Sequence, residues 1–281
     1  MRTLELLKLS LKLLALSASL LIGCNTPAEP LSPKITDDFQ SEIDFQEADD
    51  LRYQQAYDQA AIAYQELLNQ SNFNALDSIY ALNQIAYCKL LINKTEGTKE
   101  NLALVENLLN RITNAPQILV ANHLFNQGRY HFLQQNREAA LEYIHRALRG
   151  FYKVHPQGHL KIAQSLTLLS LIHLPDGITT DSMHYYSLQA NDLYLNHPEL
   201  KLYDWENDYS MGFYSLYTRA HEQGAYYSRT TLQKLKSLPF KNTWLEARAT
   251  KLLGNMIKKQ ADAFVDEDKE ALNNRKQSYY Q

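Results

Sequence analysis

Residue types that commonly do chemistry are sparse in this chain, and His155 and His159 in the segment HPQGH are the first pair to consider. Two histidines four residues apart on a helix can share a metal ion. Pro156 and Gly158 indicate a loop here instead, and no HExxH or CxxC motif accompanies the pair. We therefore predict a connection between two helices at this point, and no metal site.

The motifs of other catalytic classes are missing from the sequence. It contains neither the GxSxG motif of acyl hydrolases nor the GxxxxGK[ST] motif of phosphate-binding loops. The acidic run VDEDKE at residues 265–270 lacks the alternating ligands and the glycine of a calcium loop, and it suits the start of a helix better. We therefore expect no enzyme activity and no cofactor.

One of the two cysteines, Cys24, ends an apolar run. Arg2, Lys8 and Lys12 precede this run, which extends from Leu13 to Gly23. A short apolar stretch behind positive charges is typical of a secretory signal. The run is shorter than the roughly 20 apolar residues that a membrane-spanning helix needs.

The sequence Leu21-Ile22-Gly23-Cys24 resembles the lipobox of bacterial lipoproteins. The resemblance implies that a diacylglyceryl group is attached to the Cys24 sulfur, that cleavage occurs before Cys24, and that the new amino group is acylated. Several acyl chains anchor a protein to a membrane firmly. Residue 25 is Asn and not the Asp that retains enteric lipoproteins at the inner membrane, which favours the outer membrane.

These patterns divide the chain into three parts: a signal peptide at 1–23, a lipidated tether at 24–40 and a helical domain at 41–281. The tether, NTPAEPLSPKITDDFQ after Cys24, contains three prolines and has little apolar periodicity. Nine Gly and eight Pro in 281 residues are few, which favours long helices over a multi-stranded β fold. A formal charge of −3 makes nucleic acid an unsuitable partner. Cys88 lies in an apolar helical pattern, so we expect a buried, unreactive thiol.

Apolar residues in the helical domain recur at helical spacing, with small residues between them. Gly128 is predicted on one helix, and Ala140, Ile144 and Ala147 on one face of the next. Small residues at such points let two antiparallel helices approach closely. This pattern predicts a helical hairpin, and the same pattern recurs along the chain.

These hairpins resemble tetratricopeptide repeats (TPR). The residues that match best in two repeats are Ala48, Ala60, Tyr64, Leu124, Gly128, Ala140, Ile144 and Ala147. Four further segments match in part. An insertion with Gly97 displaces one second helix, Gly224 and Tyr226 are predicted in a turn, and the last repeat is predicted to have a second helix around Ala271. We expect an all-α, TPR-like solenoid of about six hairpins, spaced by about 40 residues.

In the TPR family the first helix of each repeat lines a concave groove. The corresponding residues here are aromatic, amide and cationic: Tyr80, Asn83, Tyr87, Asn122, Phe125, Arg129, Phe132, Arg248, Lys251 and Asn255. Such side chains suit an extended peptide, because rings contact its side chains and amides bind its backbone. The resemblance therefore implies a scaffold in the bacterial envelope that binds a protein or peptide.

Two alternatives remain open from the sequence. The chain ends in RKQSYYQ, so either Tyr279 and Tyr280 pack on the last hairpin or a longer protein continues beyond them. In the second case the repeats resemble the N-terminal half of envelope enzymes that carry a caspase-like peptidase module. The other alternative is a glycan-binding lipoprotein of an uptake system, which the 19 tyrosines would suit.

Overall fold

A computed structural model describes residues 41, 43–70, 73–155, 159–174 and 180–279. For residues 70, 180, 244 and 263–279 it describes the backbone only. The predicted signal peptide, the predicted tether and Cys24 lie outside these residues. All the regular structure in the described part is helical. No helix there is both long enough and apolar enough to cross a bilayer.

Ten of the helices form five antiparallel hairpins. They are α1 (Gln46–Tyr53) with α2 (Tyr57–Gln70), α3 (Ala75–Leu91) with α4 (Thr98–Leu109), α5 (Gln117–Leu133) with α6 (Arg137–Val154), α7 (Leu160–Ile172) with α8 (Thr180–Asn196), and α9 (Trp205–Tyr217) with α10 (His221–Ser237). A 3-10 helix, Pro198–Tyr203, connects α8 to α9, and α11 (Thr243–Tyr279) follows the last hairpin.

The hairpins stack in chain order into a solenoid. The first helices α3, α5, α7, α9 and α11 each contact the next in the series, and the second helices pack between successive first helices. Each hairpin therefore buries its apolar faces against its neighbours. The predicted all-α array of helical hairpins is confirmed.

Small residues set the close approach of α5 and α6, as the sequence predicts. A Cβ atom on Gly128 would overlap the Ile144 side chain, and one on Gly150 would lie 2.9 Å from the Cβ of Ala121. Ala140 and Ala147 are fully buried on the same face of α6. The close packing of α5 on α6 thus depends on Gly at positions 128 and 150.

The last repeat differs from the prediction. Residues 243–279 form one helix of 37 residues, about 55 Å long, where a hairpin with a second helix around Ala271 was expected. No Pro follows position 243, and Gly254 faces open space, so nothing in this segment interrupts the helix. Gly224 and Tyr226 also lie inside α10, not in the turn before it. The side chain of Tyr279 and all of Tyr280 lie outside the described residues.

The same tight turn joins the helices of three hairpins. Gln55, Gln135 and Arg219 each occupy the second of three residues between the helices and have a left-handed backbone with φ near 60°. Helix ends of this kind favour Gly, because a Cβ atom strains the left-handed conformation. The Gln135 side chain is exposed, but the Gln55 amide donates to the carbonyl of Leu202 at 3.0 Å.

We expect Gln135→Gly to raise the free energy of unfolding by about 0.5–1 kcal/mol, since relief of the left-handed strain exceeds the greater freedom of Gly in the unfolded chain. Urea denaturation of the full chain measures this change. Gln55→Gly is the matched control and should lower the stability, because it also removes a buried tertiary hydrogen bond. Equal effects of the two substitutions would contradict this account of the turns.

Candidate functional site

The first helices face the inside of the solenoid's curve, because first helices two hairpins apart touch each other. The Tyr87 hydroxyl on α3 lies 2.7 Å from the amide nitrogen and 3.0 Å from the amide oxygen of Gln164 on α7. The intervening helix α5 belongs to the hairpin between them. Contacts that skip a hairpin in this way require a tight curve, with α3, α5, α7 and α9 on its inner side.

A second contact across the inner face is a buried ion pair. Arg129 on α5 donates through two nitrogens to the two carboxylate oxygens of Glu206 on α9, at 2.6 and 3.0 Å. Both side chains are almost completely buried. Burial works against the charge on Arg129, but the Glu206 carboxylate holds the pKa of the guanidinium above its ordinary value. A bidentate pair of this kind is the strongest form of an arginine–carboxylate interaction.

The first hairpin also reaches the 3-10 helix and the start of α9. The Tyr203 hydroxyl donates to the carbonyl of Tyr53 at 2.8 Å, and the indole nitrogen of Trp205 donates to the Gln55 side chain at 3.3 Å. These partners are 150 residues apart in the chain. The inner face is thus closed from the first hairpin to the fifth.

We call the polar residues on this inner face the axial cluster: Asn83, Tyr87, Asn122, Asn126, Arg129, Lys161, Gln164 and Glu206. All eight are buried. The Lys161 ammonium lies 3.3 Å from the centre of the Tyr87 ring and 5.3 Å from that of Phe125. An ammonium over aromatic faces is stabilised by the ring electrons, more strongly when water is excluded.

The asparagines of the axial cluster differ in how well they are bonded. Asn83 donates to the carbonyl of Leu119 at 3.3 Å, and Asn126 donates to the carbonyl of Asn83 at 2.8 Å. Both amide atoms of Asn122 and the amide oxygen of Asn126 are buried and have no partner in the described part of the chain. The amide oxygen of Asn207, beside Glu206, is in the same state. A buried amide atom without a partner costs about 1–3 kcal/mol.

Six of the predicted groove residues are buried on the inner face: Tyr80, Asn83, Tyr87, Asn122, Phe125 and Arg129. The Tyr80 hydroxyl donates to Asp49 at 2.7 Å. The domain has two apolar clusters, one mainly in the first four hairpins and one mainly in the fifth hairpin and α11, and the half-buried Phe132 packs against both. The structure brings the rings of Tyr87 and Phe125 together, with centres 6.2 Å apart, but all six are interior residues and not the lining of an open groove. Their role in holding a partner stays a prediction.

The other three predicted groove residues lie on the surface of α11. Arg248, Lys251 and Asn255 are exposed, while Leu245 and Met256 on another side of the helix are buried. Arg248 lies close enough to Tyr209 to oppose the effect of burial, which raises the pKa of that phenol. These two cationic side chains and one amide therefore form an exposed polar strip separate from the buried residues.

Sequence reasoning did not find Lys161, Gln164 and Glu206. Leu166 matches the TPR pattern at position 4 of a repeat, and position 2 of a TPR faces the groove. Gln164 lies two residues before Leu166, so the resemblance would have placed it in the groove. Glu206 belongs to a segment that matches the repeat poorly, and no signal in its neighbourhood marks it. Its partner, Arg129, becomes evident only when the fifth hairpin folds back across the third.

Burial shifts the pKa of a cysteine and of a histidine in the interior. The predicted burial of Cys88 is confirmed, and burial raises the pKa of its thiol to about 12. Burial, with the charge of Arg146, lowers the pKa of His123 to about 4, so this imidazole is neutral at pH 7. No group of three or more potential metal ligands comes together in the part of the chain described.

We expect Arg129→Met to lower the free energy of unfolding by about 3–5 kcal/mol, because it leaves the Glu206 carboxylate buried without its partner. The double variant Arg129→Met/Glu206→Met should regain most of this loss, since no charge remains buried. Denaturation of the wild type, both single variants and the double variant measures the coupling. Losses that simply add would show that the pair does not interact as described.

Comparison with known proteins finds a similarity in fold. No protein-family model matches this sequence, and no curated protein matches it either. Among solved structures, the chain is similar to a Rap protein complexed with competence and sporulation factor. The identity is 18%, the TM-score is 0.61, and the match covers 78% of this chain.

The match spans 60% of the Rap chain. At this identity the likeness shows the fold alone. Together with the five stacked hairpins, it shows that the described part of this chain is an all-α, TPR-like helical solenoid.

Proposed function

We propose that this protein is a lipid-anchored, TPR-like scaffold of the bacterial envelope whose inner face binds an extended segment of a partner polypeptide. The observation that carries the proposal is the set of unpartnered amide atoms on Asn122, Asn126 and Asn207. An amide side chain has the same donor and acceptor groups as a peptide bond, so these atoms match the needs of a polypeptide backbone.

The surroundings of these amides suit the same kind of partner. Tyr87 and Phe125 offer ring faces to apolar side chains, and Lys161 and Arg129 carry positive charge at the same face. The Rap structure supports the proposal further, since it contains competence and sporulation factor with a chain of this fold.

Binding at the inner face requires the solenoid to open. The pairs Tyr87–Gln164 and Arg129–Glu206 close this face, so a partner segment must separate them or take their place. The free energy of breaking these pairs then lowers the observed affinity, because only the open state binds. Arg129 is unsuitable as a binding probe for this reason: its substitution changes stability and closure together.

We expect Asn122→Leu to keep or raise the stability of the protein and to abolish partner binding. Leucine has a similar size and removes two buried amide atoms that have no partner, so folding loses no hydrogen bond. Urea denaturation measures the first effect. Capture from detergent-solubilised envelopes, with wild type and variant as parallel baits, measures the second.

Asn83→Leu is the matched control, because Asn83 makes the hydrogen bond that Asn122 lacks. This variant should lose about 1–2 kcal/mol of stability. Partner retention by Asn122→Leu would exclude the inner face as the binding site. A destabilised Asn122→Leu variant would show instead that this amide is already satisfied in the folded protein.

The lipid anchor in this proposal is supported by the lipobox-like sequence before Cys24. Cells expressing the full chain should incorporate an alkyne-labelled palmitate into it and hold it in the membrane fraction. Cys24→Ser should lose the label and the membrane association together, because the thiol that receives the lipid is gone. Cys88→Ala, which alters the other cysteine, is the control and should keep both; label retained by Cys24→Ser would refute the anchor.

A further inference from the structure

A surface cavity of about 420 Å³ lies where three segments of the chain meet. Its walls come from the first turn of α2, from the connection between α3 and α4, and from the connection between α10 and α11. Residues of these segments that line it are Ala56, Tyr57, Ile92, Lys94, Phe240 and Lys241. Its volume is sufficient for a small organic molecule.

Contacts between distant parts of the chain hold the walls in place. The Phe240 ring lies 5.1 Å from the Tyr57 ring and 6.2 Å from that of Trp205. Asn93, before Lys94, donates to the Asn242 side chain at 3.2 Å. The two connecting segments are therefore tied to each other and to α2, which fixes the Phe240 ring in the wall of the cavity.

Positive charge exceeds negative charge around the cavity. Lys94 and Lys241 are both exposed at its rim, and Asp58 is the one acidic residue that lines it. The Asp58 carboxylate lies 2.6 Å from the Lys94 ammonium, which leaves Lys241 uncompensated within the lining. The first turn of α2 adds partial positive charge, and Ala56 before it has no side-chain acceptor to cap the helix.

We propose that this cavity binds a monocarboxylate with an apolar body. The carboxylate lies between Lys241 and the first turn of α2, and the apolar body packs on Phe240 and Ile92. A free carboxylic acid and the C-terminus of a peptide that ends in an apolar residue share this chemistry. The proposal is independent of partner binding at the inner face.

The charge arrangement gives the proposal a specific signature. Asp58 competes with the ligand for Lys94 and for the start of α2, so its carboxylate weakens binding. Asp58→Asn should therefore tighten binding several-fold, whereas Lys241→Gln should weaken it about three- to tenfold. Lys259→Gln, which removes an exposed charge from α11 outside the cavity, is the matched control and should change nothing.

Isothermal titration calorimetry of the full chain in detergent tests the proposal with 3-phenylpropionate and its neutral amide. We expect a dissociation constant of about 1 mM or lower for the acid, and at least tenfold weaker binding of the amide. N-acetyl-Ala-Phe, as free acid and as C-terminal amide, forms the second arm. The tighter of the two acids shows which source the cavity suits.

Three results would overturn the proposal. The first is no binding of either acid at concentrations up to roughly 10 mM. The second is equal binding of the acids and their amides, and the third is weaker binding by the Asp58→Asn variant. Thermal melting of each variant by circular dichroism confirms that it is folded before titration. Loss of partner capture in Asn122→Leu leaves these outcomes unchanged, so the cavity and the inner face are tested separately.

Discussion

The closure of the inner face across the solenoid axis is the constraint on which the rest of the structure depends. Each hairpin contacts its immediate neighbours, but Arg129 and Glu206 join the third hairpin to the fifth, and Tyr87 and Gln164 join the second to the fourth. Such contacts exist only when the curvature is tight. They turn a surface that would be an open groove into a buried interior, and every polar residue on it then needs a partner.

The axial cluster meets this need unevenly. Arg129, Glu206, Tyr87 and Gln164 satisfy one another, while Asn122 has neither of its amide atoms bonded in the described part of the chain. Local rules of good packing are usually broken where function requires it. The paired residues close the inner face, while some amide atoms on it have no partner in the described part of the chain. This combination is expected of a face that exchanges internal contacts for contacts with a partner.

The connection between α10 and α11 links the two ends of the domain. Phe240 in this connection packs against both apolar clusters, one of which includes the first hairpin and the other the last. The same ring lines the surface cavity beside Tyr57. The first hairpin and the fifth are therefore joined next to the cavity as well as across the inner face.

The sequence alone determined the all-helical array and the close contact between α5 and α6. Gly128 and Ile144 are close in the chain, so helical periodicity and side-chain size predict their contact. The length of α11 and the burial of the groove residues were decided by the tertiary structure. Curvature accumulates from a small rotation at each repeat, and only the sum of these rotations brings Glu206 to Arg129. The residue pattern within a single repeat does not reveal the accumulated curvature. The sequence therefore predicted an open groove, whereas the folded chain closes it.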